Sequence, residues 1–431
     1  MISIMAKKLS KFSLFGYSAL AIPAAFAGIP IYVNIPDYFI VKYGISLTLM
    51  GILLVVLRLL DAVQDFIIGY VCDKWHYLRL YVVIFSACSL ILGFFLISFP
   101  LLSPIVSFVL GVFLASLGFS SILINLSAIG GVWSKDTNEK LRISSYRESF
   151  SILGMIIACT LPIVLMKYYE ILIAYQIMAI CLTLVTIVCV IVFVLWYQRN
   201  REKLHDEPTT VLPSFRSYLN LNWKMYRPLY EIFFFSTTGN AIVAILFVFY
   251  ARDFIGGGDY IGIFLLGYFL FAMLSIPLLN LISSKIGKRR TWLGSTVFIM
   301  ITSFLAFFLN PGDYVQYLGL CSVAGISLGA DLTIPPAILG DLLEIKKDYS
   351  YASGLYSIIA FLYKLMLALS GVIIFPILSY IHFQPSNQND DFSLFILVIF
   401  YTLVVASFKL LAVLRLYFWD KKLRYQNFSK T

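Results

Sequence analysis

The sequence predicts an all-α membrane protein with twelve transmembrane helices in two pseudo-symmetric six-helix bundles. The 431-residue chain is 61% hydrophobic and only 13% charged, whereas soluble proteins are about half apolar. Its apolar residues form long continuous runs, which favour helices over the short alternating strands of a membrane barrel. The longest polar break falls after the sixth run, and this position predicts two halves of equal span number.

Each predicted span is an apolar run of roughly 20 residues, the length that crosses a bilayer as a helix. The twelve spans cover residues 12–33, 45–72, 78–99, 103–132, 144–166, 172–197, 228–250, 260–282, 291–309, 314–340, 355–381 and 392–418.

Basic residues predict the orientation of the chain, because cytoplasmic loops collect lysine and arginine. Of the 32 basic residues, 26 lie in the terminal segments, in the loops on the same side as the termini, or at the span ends that adjoin them. We therefore expect a multi-pass protein of the plasma (inner) membrane with both termini in the cytoplasm. Three basic residues lie deeper within spans, away from their ends: Arg58, Lys364 and Lys409.

The predicted domains are an N-terminal bundle at 1–197, a cytoplasmic linker at 198–227 and a C-terminal bundle at 228–431. The linker carries His205, two prolines and six basic residues. Its second part predicts a short interfacial helix with three aromatic rings at the lipid headgroups. These rings belong to Tyr218, Trp223 and Tyr226.

Several classes of function are excluded. The net charge of +10 comes from short turns rather than one basic face, so we expect no nucleic-acid partner. The six cysteines lie in predicted spans without a CxxC spacing, which indicates neither a disulfide framework nor a zinc site. No GxxxxGK[ST] or HExxH pattern occurs. We expect a monomeric protein that is not an enzyme and binds no cofactor. Its expected partners are the lipid bilayer and a small-molecule solute.

Span 2 carries three charges, Arg58, Asp61 and Asp65, inside an apolar run. Each charge at membrane depth costs roughly 2.5–3.5 kcal/mol, so such residues face a protein interior or an aqueous path. The spacing places all three on one face of a helix. Two carboxylates one turn apart predict a site for Na⁺ or H⁺, and no other metal site is indicated. The alternative is a structural network in which Arg58 neutralises one acid.

Lys364 lies 10 residues into span 11, too deep to extend easily to the interface. We expect it to pair with the span 2 acids and to compete with the coupling cation, although a static salt bridge would also explain it. Lys409 lies close to the predicted cytoplasmic end of span 12, so we expect its ammonium group to reach the headgroups.

Three polar residues within spans are candidates for solute contacts: Asn125 in span 4, Asn240 in span 7 and Asp331 in span 10. Asp331 precedes Pro335 and Pro336, which remove backbone N–H donors from the helix. Each asparagine could instead bond a neighbouring helix. For Asp331 the alternative is an ion pair with Lys364.

The turn after span 2 predicts part of a cytoplasmic gate, with Asp73, Lys74 and Arg79. Arg147 and Glu148, near the start of span 5, are expected partners of this turn. Asp341 and Glu344, at the inner end of span 10, are expected to serve the second half in the same way.

These motifs carry a family resemblance. The turn after span 2 resembles the loop signature of the major facilitator superfamily, G-x-x-x-D-[RK] followed by basic residues: Gly69, Asp73, Lys74 and Arg79. Within that superfamily, span 2 resembles the R-x-x-D-A-x-x-D of the glycoside/pentoside/hexuronide cation symporters: Arg58, Asp61, Ala62 and Asp65. Weaker matches follow in order, at Tyr146 to Gly154, at Gly340 to Glu344, and at Gly354, Ser357 and Lys364.

The resemblance implies the major facilitator fold and symport of a sugar or sugar derivative with Na⁺ or H⁺ by alternating access. It assigns the cation to Asp61 and Asp65, with Arg58 and Lys364 as their neighbours. Family members typically hold sugar hydroxyls with acids in spans 1 and 4, whereas 12–33 has no charge here and 103–132 offers only Asn125. The first alternative is therefore a carrier of lysophospholipid-like amphiphiles, and the second is a non-transporting membrane sensor or enzyme.

Overall fold

The structure is a computed structural model that describes residues 8–32, 34–205, 213–385 and 389–428. Within these ranges every regular element is helical and no strand occurs, which confirms the all-α class. In the described part of the chain, ten helical segments are long and apolar enough to cross a membrane: His76–Ser98, Pro104–Val132, Thr137–Met166, Ile171–Arg201, Trp223–Phe254, Gly258–Ile286, Lys288–Phe308, Tyr314–Lys346, Tyr349–Tyr380 and Asp391–Lys422.

The chain packs as two compact units. The first comprises Met1–Leu221 and Leu339–Phe361, and the second comprises Asn222–Ile338 and Leu362–Thr431. These units are defined by packing, and they assign 339–361 to the unit that holds the N-terminal helices. The domain boundaries 1–197, 198–227 and 228–431 stay predictions.

Among the described residues, the first unit contains nine complete helices, together with 339–361. The nine are α1 Lys11–Ser18, α2 Ala21–Tyr32, α3 Asn34–Tyr43, α4 Leu47–Lys74, α5 Arg79–Ser98, α6 Pro104–Trp133, α7 Thr137–Met166, α8 Ile171–His205 and α9 Phe215–Leu219.

The predicted first span is divided between α1 and α2. Pro23 has no N–H to donate to the Ala19 carbonyl, and its ring would crowd that oxygen in a continuous helix. The N–H of Ile22 bonds the Ala19 carbonyl instead, at 3.2 Å. The break at Ala19 and Leu20 therefore has a local cause.

Helix α4 holds the candidate acids in one unbroken helix of 28 residues. Ser46 caps its first turn, where the side-chain oxygen accepts the N–H of Leu49 at 3.3 Å. It carries three internal charges and is not among the ten apolar segments.

Close helix packing depends on small residues in the first unit. A Cβ added to Gly118 of α6 would lie 2.5 Å from the Ser86 carbonyl oxygen of α5, so only glycine allows this approach. Membrane helices commonly approach through small residues, since lipid gives no hydrophobic drive for their association.

The second unit contains the remaining described helices, apart from 339–361, which belong to the first unit. They are α10 Trp223–Phe249, α11 Ile261–Ile286, α12 Lys288–Leu305, α13 Tyr314–Lys346, α14 Ala352–Tyr380, α15 Asp391–Ile399 and α16 Val405–Phe428. Two π-helical segments interrupt this set, Tyr250–Phe254 after α10 and Phe400–Val404 between α15 and α16. They bring Tyr250 and Tyr401 into a stacked pair with ring centroids 4.0 Å apart.

Candidate functional site

The two acids of α4 are buried, with Asp61 3% and Asp65 0% exposed. The Gln64 amide donates to Asp61 Oδ1 at 2.6 Å, and the Ser120 hydroxyl of α6 donates to the same oxygen at 3.3 Å. Gln64 also donates to Ser116 Oγ at 3.2 Å. Asp61 therefore lies in a polar cluster between α4 and α6. Together with Asp65, one turn further along α4, we call this group the acid cluster: Asp61, Gln64, Asp65, Ser116 and Ser120.

Gln64 Oε1 on α4 and Asn125 Oδ1 on α6 are buried side-chain oxygens that accept no hydrogen bond from the described residues. Asn125 uses its amide hydrogens on the Ser121 carbonyl, at 2.8 Å, and on Cys72 Sγ, at 3.2 Å. Buried oxygens are normally satisfied. These two oxygens can accept hydrogen bonds from a ligand or coordinate a cation.

No group of three or more histidine, cysteine or acidic side chains able to hold a metal occurs among the described residues. A cation bound at Asp61 and Asp65 would therefore need neutral oxygens as further ligands. Gln64 and Ser120 are the neutral residues that bond Asp61. Sequence reasoning missed both, although Gln64 lies three residues after Asp61 and so shares its helix face.

Arg58 and Lys364, the predicted neighbours of the acids, are both half-buried. Arg58 lies on α4 one turn before Asp61, in the first unit. Lys364 lies on α14 in the second unit. Its pairing with the acids stays a prediction.

Asp73, at the end of α4, binds the start of α14. Its Oδ1 accepts the Ser353 N–H at 2.8 Å, and its Oδ2 accepts the Gly354 N–H at 2.7 Å. Arg79 adds a bond from Nη2 to Ser353 Oγ at 3.3 Å. A carboxylate at the first turn of a helix satisfies free backbone donors and complements the helix dipole.

The linker contributes to the same cluster. Tyr218 of α9 donates its hydroxyl to Asp73 Oδ2 at 2.7 Å. Burial, with the neighbouring Asp73 carboxylate as the next cause, raises the pKa of Tyr218 above its ordinary value, so the hydroxyl stays protonated. Tyr218, which the sequence predicts to lie among the headgroups, thus bonds an acid at the end of α4. We call the whole group the latch: Asp73, Arg79, Tyr218, Ser353 and Gly354.

Three other predicted gate residues have different partners. Lys74 lies over the Tyr70 and Trp75 rings, 5.7 and 5.4 Å from their centroids. Arg147 pairs with the adjacent Glu148 at 2.5 Å. The expected bond from this pair to Asp73 is replaced by the backbone N–H groups of α14, which lie at the end of the Asp73 side chain.

The second predicted gate pair meets α7. Lys140, 1% exposed, donates to the Gly340 carbonyl at 2.7 Å and pairs with Glu344 at 3.3 Å. Thr137 donates its hydroxyl to Asp341 Oδ1 at 2.7 Å. An ammonium group near the C-terminal end of α13 suits the negative end of that helix. Neither Lys140 nor Thr137 was predicted from the sequence.

A separate polar cluster lies within the second unit, around Asp331. Lys409 donates to Asp331 Oδ2 at 3.0 Å, and Trp292 Nε1 donates to Oδ1 at 2.7 Å. Asn240 and Ser236 also donate to Oδ2, at 3.0 and 2.9 Å. Asp331 and Asn240, two predicted solute contacts, therefore bond each other.

The prediction for Lys409 is wrong. Its side chain is 0% exposed and lies in the Asp331 cluster rather than extending to the interface. Gly239 provides the space, because a Cβ there would come within 3.3 Å of Lys409 Cε. Asp331 pairs with Lys409 and not with Lys364, the ion-pair partner considered for it from the sequence.

A comparison with curated proteins finds no match. A family model described as MFS/sugar transport protein matches residues 14–420, which include the acid cluster, the latch and the Asp331 cluster. The match confirms the predicted resemblance to the glycoside/pentoside/hexuronide cation symporters. The chain therefore belongs to the MFS/sugar transport protein family of the major facilitator superfamily.

Proposed function

We propose that the chain is a secondary transporter that moves a sugar or sugar derivative together with Na⁺ or H⁺ by alternating access. Family membership supports transport of a sugar, and the acid cluster supports cation coupling. We further propose twelve spans: the ten apolar segments, α1 with α2 as one span, and α4. Both termini are then cytoplasmic, in agreement with the distribution of basic residues.

The single observation that carries the coupling proposal is the buried group of oxygens around Asp61. Na⁺ is a hard cation and prefers several oxygen ligands together. Asp61 and Asp65 supply charge, while Ser120 and Gln64 supply neutral oxygens. Rotation of the Gln64 amide by half a turn would exchange its donor for Oε1, the oxygen that accepts no bond from the described residues.

The latch gives the transport cycle a barrier on the predicted cytoplasmic side. Asp73 holds the first turn of α14 to the end of α4, so this side opens only when two backbone bonds to the carboxylate break. On the strength of its sequence position, we propose Lys364 as the residue that links cation binding to this movement.

The cargo can be tested with purified protein in proteoliposomes under imposed Na⁺ or pH gradients. Uptake of a labelled sugar that requires one of these gradients would support the proposal. Accumulation of lysophospholipid without sugar uptake would replace the sugar with an amphiphile, which the charge-free sequence 12–33 makes the second candidate. Uptake of either solute that no gradient affects would contradict coupling.

A further inference from the structure

The predicted cytoplasmic linker connects the two predicted bundles. Its short helix α9 is fixed by a capping box, in which Ser214 Oγ accepts the Ser217 N–H at 3.3 Å and Ser217 Oγ accepts the Ser214 N–H at 2.9 Å. Tyr218 follows directly. The box therefore fixes the backbone from which the Tyr218 ring extends.

The Tyr218 ring packs closely against the start of α14. A Cβ added to Gly354 would lie 2.5 Å from Tyr218 Cε1, so glycine is required for this contact. A Cβ added to Gly69 of α4 would lie 2.9 Å from Gly354 Cα. The linker and α4 thus both approach α14 at Gly354. The Tyr351 ring lies edge-on to Tyr218, with centroids 5.1 Å apart.

The Tyr218 hydroxyl shares an acceptor with the latch. Asp73 Oδ2 accepts both the Gly354 N–H and the Tyr218 O–H, each at 2.7 Å. A hydrogen bond to a charged acceptor contributes more than a neutral one. If α4 separates from α14, Tyr218 can keep its bond to Asp73 or its packing on Gly354, but not both.

We propose that the linker is a working part of the latch, in which Tyr218 acts as a positioning residue that holds Asp73 against the start of α14. Movement of the linker would then release the latch, and a closed latch would hold the linker in place. Only the consequence for transport rests on the proposed function. The contact itself can be tested without any solute or ion.

Cys72 is a native reporter of this contact. It precedes Asp73 on α4 and is 0% exposed. The experiment uses full-length protein in nanodiscs in which Cys72 is the one remaining cysteine, and it measures the rate of maleimide labelling. Tyr218→Phe removes the hydroxyl and keeps the ring. Tyr77→Phe is the matched control, because Tyr77 is an exposed tyrosine on the turn that follows α4.

We expect Tyr218→Phe to raise the labelling rate about tenfold, as loss of a hydrogen bond to a charged group implies, and Tyr77→Phe to leave it unchanged. Asp73→Asn should also raise the rate, and Tyr218→Phe added to Asp73→Asn should change it less than twofold, because the two residues share one interaction. An unchanged rate in Tyr218→Phe, or multiplicative effects in the double variant, would overturn the proposal.

Discussion

Lys409 and Asp331 form an ion pair inside the second unit, with Nζ 3.0 Å from Oδ2 and both side chains buried. Removing one partner of such a pair leaves an uncompensated charge, which typically costs about 3–5 kcal/mol. We expect Lys409→Ala to destabilise the protein by about this amount, visible as a lower melting temperature. Lys346→Ala, at an exposed lysine, should have almost no effect.

A double variant separates the charge from the packing of Lys409. Lys409→Met with Asp331→Asn removes both charges while retaining most of the volume, so it should be clearly more stable than Lys409→Ala. Equal stability of Lys409→Ala and Lys346→Ala would show that the ion pair contributes nothing.

Glycine at position 354 is predicted to be essential for the latch. Gly354→Ala places a Cβ 2.5 Å from the Tyr218 ring, and such overpacking typically costs about 1–3 kcal/mol. Hydrogen exchange in a peptide that covers 349–357 should accelerate. Gly371 lies on the same helix, and a Cβ added to it would lie 3.6 Å from its nearest neighbour. Gly371→Ala should therefore leave exchange in the peptide 349–357 unchanged. Equal exchange in both variants would contradict the close approach at Gly354.

Neutral oxygens of the acid cluster should affect cation affinity. We expect Gln64→Leu and Ser120→Ala each to weaken Na⁺ binding, or to shift the pH dependence if H⁺ is the coupling ion. The expected change in cation affinity is about tenfold, which corresponds to roughly 1.4 kcal/mol. The measurement is the cation concentration that gives half-maximal thermal stabilisation. Ser127→Ala is the control, because Ser127 Oγ bonds the Leu123 carbonyl of its own helix. Unchanged affinity in both test variants would remove Gln64 and Ser120 from the site.

Lys364 is predicted to couple cation binding to transport. Lys364→Ala should abolish cation-driven accumulation or allow uptake that is independent of the gradient, while Lys346→Ala keeps wild-type behaviour. Accumulation in proteoliposomes, with and without the gradient, distinguishes these outcomes. A wild-type cation dependence in Lys364→Ala would remove this lysine from the mechanism.

The sequence was informative where a residue is costly in its surroundings. Asp61 and Asp65 could be found because charges inside an apolar run need a reason. Gln64 and Ser120 carry no such signal, since neutral polar side chains are tolerated in membrane helices and often bond only their neighbours. Identifying them needs the packing of α4 on α6, which a single sequence does not contain.

Lys409 and Tyr218 show what the position of a residue in the sequence does not reveal. Lys409 was assigned by its distance from a predicted span end and Tyr218 by its place in a predicted interfacial helix, as if each segment stood alone in lipid. Lys409 instead has a buried acid within reach and a glycine that makes room for it. Tyr218 has a carboxylate acceptor on α4, 145 positions earlier in the chain. Long-range partners of this kind decide the position of an amphipathic side chain.

The most direct test of cation coupling measures gradient-driven uptake in proteoliposomes for Asp61→Asn and Asp65→Asn beside Asp259→Asn, which changes an exposed acid. All three variants should reconstitute as folded protein. Our account predicts that the first two lose cation-driven accumulation, whereas Asp259→Asn keeps it. Full accumulation by both Asp61→Asn and Asp65→Asn would contradict the proposal that these acids bind the coupling cation.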